Sequence, residues 1–182
     1  MYIKNIILIL ACIIGGCVGQ SQTQPNETKQ KETKKIVTKN TSGWLINYEE
    51  VYERSIKENK PIMANFTGSD WCGWCIKLKK AVFNTETFQN WAADNVILFE
   101  LDFPRRTPQD PDIKAQNRNL QQTFGQLVRG YPTVLIFDIE RTFDNDNIKQ
   151  TDGIKLLGKL SYMGDPTSFI NVANTHIKNR VK

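Results

Sequence analysis

Two cysteines three positions apart, Cys72 and Cys75, stand between a short apolar run and the first turn of a helical pattern. Upstream, residues 61–67 read Pro-Ile-Met-Ala-Asn-Phe-Thr and are closed by Gly68, as expected of a strand buried in the middle of a sheet. Downstream, Cys75, Leu78 and Val82 fall on one helical face. A buried strand that turns directly into a helix needs an α/β arrangement in which helices cover the sheet.

That position has chemical consequences. A thiol at the start of a helix meets unpaired backbone N–H groups and the positive end of the helix dipole, which favour its ionised form. Cys72 is therefore the candidate nucleophile. Cys75, one turn further on and inward, is placed to attack a mixed disulfide formed by Cys72 and release the partner. Gly73 and Trp74 between them add no charge and no imidazole, so they act on the balance between dithiol and disulfide.

The other two cysteines lie near the N-terminus. Residues 1–16 begin with Met1-Tyr2-Ile3-Lys4-Asn5, continue as an apolar run over 6–14, and end in Gly15-Gly16 before Cys17. A short basic start, an apolar stretch too brief to span a bilayer and small residues before a cut site make an export signal. Ile14-Gly15-Gly16-Cys17 resembles the bacterial lipoprotein signal, which implies that Cys17 receives lipid and becomes the new N-terminus. Cys12 after Ile9-Leu10-Ala11 is a rival site that would leave a shorter apolar run. An uncleaved apolar anchor is the other alternative.

Residues 17–43 follow with Gln, Ser, Thr, Asn, Lys and Glu and no sustained apolar pattern, so this stretch is expected to be a flexible tether. As a coil it would reach roughly 30 Å, enough for a domain over 44–182 to work just off a membrane surface. With Cys12 lost and Cys17 lipidated, one thiol pair remains, in a compartment where disulfides form and persist. No disulfide framework can be built from one pair. With His176 as the single histidine, no Cys/His zinc set is at hand either, and no cofactor is expected.

The chain carries a formal net charge of +5, which raises the question of nucleic acid. Five Lys against two Glu fall in residues 18–43, while residues 44–182 hold eighteen basic and seventeen acidic side chains. The domain is close to neutral, and only Lys77, Lys79 and Lys80 come close to the clustered basic residues with interleaved aromatics that a phosphate-binding face needs. No nucleic-acid partner is expected.

Across the domain, Asn47 and Glu50 resemble a capping box that opens a helix over 47–59. A second short helix begins near Asn84, and residues 96–103 read as a strand. After a Pro-rich loop over 104–111, Asp112 is expected to cap a helix carrying Ile113, Asn117, Leu120 and Phe124 on one stripe. Residues 134–137 form a strand, 139–153 a polar turn region and 154–160 an antiparallel partner strand. Asp165 and Pro166 open a last helix that buries Phe169, Ile170, Ala173 and Ile177.

With these elements in place, Phe66, Trp71-Cys72-Gly73-Trp74-Cys75, Lys77-Leu78 and the distant Gly130-Tyr131-Pro132-Thr133 resemble the thioredoxin superfamily over roughly residues 44–180. The resemblance implies a thioredoxin fold, a central mixed sheet flanked by helices. It also implies that Pro132 is cis, lies against the cysteine pair and works beside it, with Trp71, Trp74, Tyr131 and Thr133 around the site. The run from Thr67 to Leu78 looks most like exported thioredoxin-like proteins related to the C-terminal domain of the membrane transporter of thiol electrons. Partners would then be exported disulfide-containing proteins and a membrane thiol donor, met in the cell envelope through a lipid anchor. The expected activity is thiol-disulfide exchange, in the reducing direction.

Two departures stand out. Ordinary thioredoxins have Gly-Pro between the cysteines, and a buried Asp on the preceding strand that moves the proton of the resolving thiol. Here Asn65 takes that position, and an amide cannot accept the proton. The role then passes to water, to Glu100 or Asp102 on the next strand, or to nothing. Other readings of the pair are a structural bridge, a Cu(I) carrier using both thiolates, and a binding module that keeps the fold without exchange. Trp71 reads as structural and Trp74 as either core or docking surface.

Overall fold

The computed structural model of the chain describes residues 43–143 and 150–180, and the side chains of 43–140 and 153–180. The expected leader, Cys12, Cys17 and the tether up to residue 42 lie outside the described residues.

Asn47 caps α1 (Tyr48–Glu58), its side-chain oxygen accepting the Glu50 N–H at 3.1 Å. The helix stops at Asn59, whose φ of 51° turns the chain toward Pro61. Then come β1 (Ile62–Thr67), α2 (Gly73–Leu78) and a π-helical turn over Lys79–Phe83. The second helix of this region, α3 (Glu86–Asn95), opens on Thr85, slightly later than expected, and leads into β2 (Ile97–Asp102).

The helix after the Pro-rich loop, α4 (Pro111–Phe124), is capped by Asp110 and not by Asp112. Asp110 Oδ1 accepts the N–H groups of Asp112 and Ile113 at 2.8 and 3.2 Å. The physical reason is Pro111: a proline suits the first helical position, so the residue before it becomes the cap.

The last two strands, β3 (Thr133–Phe143) and β4 (Gln150–Leu160), run well beyond the apolar stretches at 134–137 and 154–160. Residues 139–143 and 150–153, expected as part of a polar turn, continue the ladder from Ile139↔Ile154 to Phe143↔Gln150. An antiparallel ladder needs only backbone groups in register, so a polar hairpin can prolong strands whose apolar signal has ended. α5 (Pro166–Lys178) closes the domain behind its Asp165 cap.

The sheet order is β2-β1-β3-β4, with β1 parallel to β2 and the other pairs antiparallel, which is the expected mixed sheet. Every residue of β1 is buried. Ile62, Ala64 and Phe66 join Val51, Phe99, Phe124 and Phe137 in one core cluster, on the side of α1 and α4. Met63 faces the other cluster with Leu78, Phe83, Phe88 and Phe169, on the side of α2, α3 and α5. Phe88 and Phe169 are fully buried 5.8 Å apart; truncating either to Ala would cost about 3–5 kcal/mol. Both layers hold β1 rigidly, and β1 carries the turn into Cys72.

Candidate active site

The loop between β1 and α2 is pinned at each residue. The N–H groups of Trp71 and Cys72 donate to the Gly68 carbonyl at 3.3 and 2.9 Å. Ser69 donates both its N–H and its hydroxyl to the Asp102 carboxylate, at 2.8 and 2.5 Å. Asp70 accepts the backbone N–H groups of Arg105, Arg106 and Thr107 at 3.0, 2.7 and 2.8 Å. Those amides, Arg105's first, hold its carboxyl down to about 2.

Trp71 completes the clasp. Its ring N–H donates to the Phe103 carbonyl at 2.8 Å and its indole meets Tyr131 edge to face at 5.7 Å. A Cβ on Gly68 would fall 2.4–2.7 Å from that indole, so only glycine fits beneath it. Arg105 stacks over the same indole, its guanidinium carbon 3.7 Å from the ring centre. Trp71 is thus a wall of the site, consistent with its structural reading.

Cys72 is the N-cap of α2, and its sulfur accepts the Cys75 N–H at 3.2 Å. The two sulfurs are joined, S–S 2.08 Å with Cα atoms 5.2 Å apart. Both residues are covered: Cys72 keeps 6% of its surface exposed and Cys75 4%. A partner must therefore reach Cys72 through a small window. Gly73 is exposed and has nothing near its missing side chain.

The Tyr131–Pro132 peptide is cis, and Pro132 shares a groove with Trp74. Tyr131 is fixed by Gln121, whose amide donates to its hydroxyl at 2.7 Å, and by Phe103 at 5.4 Å; burial pushes its phenol pKa up. Thr133 is buried and donates its hydroxyl to the Gly130 carbonyl at 2.7 Å. Trp74, Tyr131, Pro132, Ser161 and Tyr162 line an open groove of about 280 Å³. Trp74 is 55% exposed, tilted against Tyr162 at 4.8 Å with the Lys77 ammonium 4.4 Å from its ring centre. It is exposed surface and not core.

Asn65 and Glu100 are partners in the β1–β2 register, on the sheet face covered by α2. Asn65 is buried and its Oδ1 has no hydrogen-bond partner among the described residues. Burial pushes the Glu100 carboxyl upward; Lys79, 3.8 Å away, opposes that and Asp102 adds to it. Asp102 differs from these two, because both its oxygens are occupied by Ser69. His176 belongs to another neighbourhood, lying over Gly158 of β4.

Sequence reasoning brought out the cysteines, Pro132 and their immediate neighbours. It missed the anchoring role of Ser69 and Asp70, the stacking of Arg105, and Ser161 with Tyr162 as a groove wall. Arg105 lies in a Pro-rich loop and Tyr162 in the turn after β4, where no periodicity or motif marks a residue. Their contacts run to residues 71 and 74, far off in the chain.

Comparison with known proteins agrees with this geometry. Residues 43–138 match the family described as thioredoxin-like. The chain is 30% identical to the disulfide bond reductase DsbH of Chlamydia pneumoniae over 139 residues, 76% of this chain and 78% of that protein. It is also 30% identical over 81 residues to the thioredoxin-related protein DsbJ of the same organism, 44% of this chain but only 23% of that longer protein. A solved structure of a DsbH oxidoreductase superposes with a TM-score of 0.61 at 26% identity, covering 75% of this chain and 85% of that one. The chain thus belongs to the thioredoxin-like family, as a thiol-disulfide oxidoreductase built around a Cys-Gly-Trp-Cys pair.

Proposed function

We propose that this protein reduces disulfides of exported proteins in the cell envelope, with Cys72 as nucleophile and Cys75 as resolving thiol. The observation that carries this reading is the Cys72–Cys75 disulfide at a helix start beside the groove lined by Tyr131 and Pro132. The direction rests on the likeness to a protein named a disulfide bond reductase.

In the reduced form the Cys72 thiolate attacks one sulfur of the partner's disulfide; a Cys72–partner bond forms, and the partner's other sulfur leaves as a thiolate and takes up a proton. Cys75 gives up its proton and attacks the Cys72 sulfur, forming the internal disulfide and expelling the partner's second thiolate. Two electrons pass to the partner. A membrane thiol donor of the envelope restores the dithiol by the reverse exchange.

The hydrogen bond from the Cys75 N–H to the Cys72 sulfur favours the thiolate of Cys72. Pro132, Tyr131 and Thr133 shape the edge on which the partner's backbone lies, and Trp74 supplies the opposite wall. Glu100 beneath α2 takes the proton of Cys75, and the Asn65 Oδ1 beside it can accept a hydrogen bond but not the proton itself. Asp102 serves to fasten the loop through Ser69. Lipid on Cys17 and a tether over residues 17–43 would keep the domain near a membrane; the small residues before Cys17 and the polar run after it support that placement.

The test is trapping. With Cys75→Ser, Cys72 should accumulate mixed disulfides with envelope proteins; in the wild-type chain the Cys72/Cys75 couple should equilibrate with glutathione near the roughly −270 mV of thioredoxin. No trapped species, or a potential near the roughly −120 mV of a strong oxidant, would overturn the reductant reading.

A further inference from the structure

Both tryptophans that bracket Cys72 carry a cation on an indole face. Arg105 lies 3.7 Å from the ring centre of Trp71, and Lys77 lies 4.4 Å from that of Trp74. Both cations are exposed, and neither has an ion-pair partner among the described residues. The carboxylates nearest to them in sequence are already committed. Asp70 holds the amides of residues 105–107, and Asp102 holds Ser69.

A cation stacked on an aromatic face loses freedom while keeping its charge outward. Arg105 is ordered a second time, because its own N–H is one of the three that Asp70 accepts. The result is two positioned positive charges on the rim of a window that exposes only 6% of Cys72. The domain as a whole is close to neutral, so a charge preference at the site rests on these two placed cations and not on a general basic character. Rim charges of this kind act mainly on the rate of encounter and on partner choice.

We infer that Arg105 and Lys77 select partners by charge: the exchange site takes disulfides whose cysteine is flanked by Asp or Glu in an exposed, extended segment. The inference rests on the exchange reading and deepens it by naming the substrate class. An acidic residue beside the partner's cysteine meets Arg105 or Lys77 as its sulfur approaches Cys72. Basic flanks are repelled at the same place.

The experiment uses the full-length reduced protein and three disulfide-bridged peptides that differ only in the residues beside the cysteines, which are acidic, neutral or basic. Second-order rates of peptide reduction are measured at low salt and at about 0.5 M salt, where the screening length falls to a few ångströms. The acidic peptide should react about fivefold faster than the neutral one at low salt, the effect of two exposed ion pairs, and the basic peptide slower. High salt should collapse the spread.

The Arg105→Gln/Lys77→Gln variant should lose the preference, and Arg105→Lys should retain most of it. Lys57→Gln, which removes an exposed charge from the last turn of α1, should keep it entire. Equal rates for all three peptides at low salt would overturn this inference alone, as would a preference that survives in the double variant or vanishes in Lys57→Gln. Failure of the wild-type protein to reduce any of the peptides would overturn the exchange reading and the inference with it.

Discussion

Asn65 of β1 and Glu100 of β2 stand side by side under the helix that carries the cysteines. One offers a buried acceptor with no donor among the described residues, and the other a carboxyl that burial biases toward its protonated form. An unmet buried acceptor costs about 1–3 kcal/mol, and an ionisable group with a shifted pKa beside it is the kind of departure that gathers at reacting centres.

If Glu100 takes the proton of Cys75, Glu100→Gln should slow release of the mixed disulfide by about tenfold, short of the ~10² that a general base in full contact supplies. The pH profile separates this from a structural effect. In the wild type the release step should fall as pH drops through the raised pKa of Glu100, and in the variant that inflection should vanish.

The same shift sets a sign for stability. A carboxyl raised in the folded state binds more protons there than in the unfolded chain, so stability falls as pH rises from the ordinary carboxylate range to Glu100's own pKa. Glu100→Gln should flatten that slope and be the more stable protein above the window. Urea unfolding of both proteins across the acidic range measures it.

Asp70 runs the opposite way. Its carboxyl, held to about 2 by three amides, contributes stability that is complete above the ordinary carboxylate range and is lost as pH falls toward that value. Asp70→Asn keeps the shape but weakens the charge-assisted bonds. The amides of Arg105, Arg106 and Thr107 should then exchange hydrogen faster than in the wild type, while those of β1 stay protected; unchanged protection at 105–107 would refute the clasp.

Much of this architecture was legible in the residues. Strand β1, the cap at Asn47, the Asp165-Pro166 start of α5 and the cysteine-bearing turn all rest on local chemistry: short apolar runs, capping oxygens and proline at a first helical position. Pro132 was reached through a family resemblance and not through spacing. Asp110, the long hairpin and the clasp were not legible, because each depends on a choice between equivalent groups or on a distant contact. Asp110 and Asp112 are chemically alike, the ladder beyond Ile139 has no apolar signature, and Asp70 finds its partners 35 or more positions away.

His176 also gained a place that its helix face alone did not reveal. A Cβ on Gly158 would fall 2.0–2.4 Å from its imidazole. Gly158→Ala should therefore destabilise the domain by about 1–3 kcal/mol through overpacking. His176→Ala in the same chain should recover part of that loss; additive losses in a double-mutant cycle would show that the two positions are independent.

The whole account depends on Cys72 being ionised and reachable in the reduced protein, although it is 6% exposed in the disulfide form. The direct measurement is the rate of Cys72 alkylation by iodoacetamide in the reduced chain as a function of pH. The midpoint should lie well below the roughly 8.5 of a free cysteine, with Cys72 reacting ahead of Cys75. A midpoint at the free-cysteine value, or a Cys72 that does not alkylate, would contradict it.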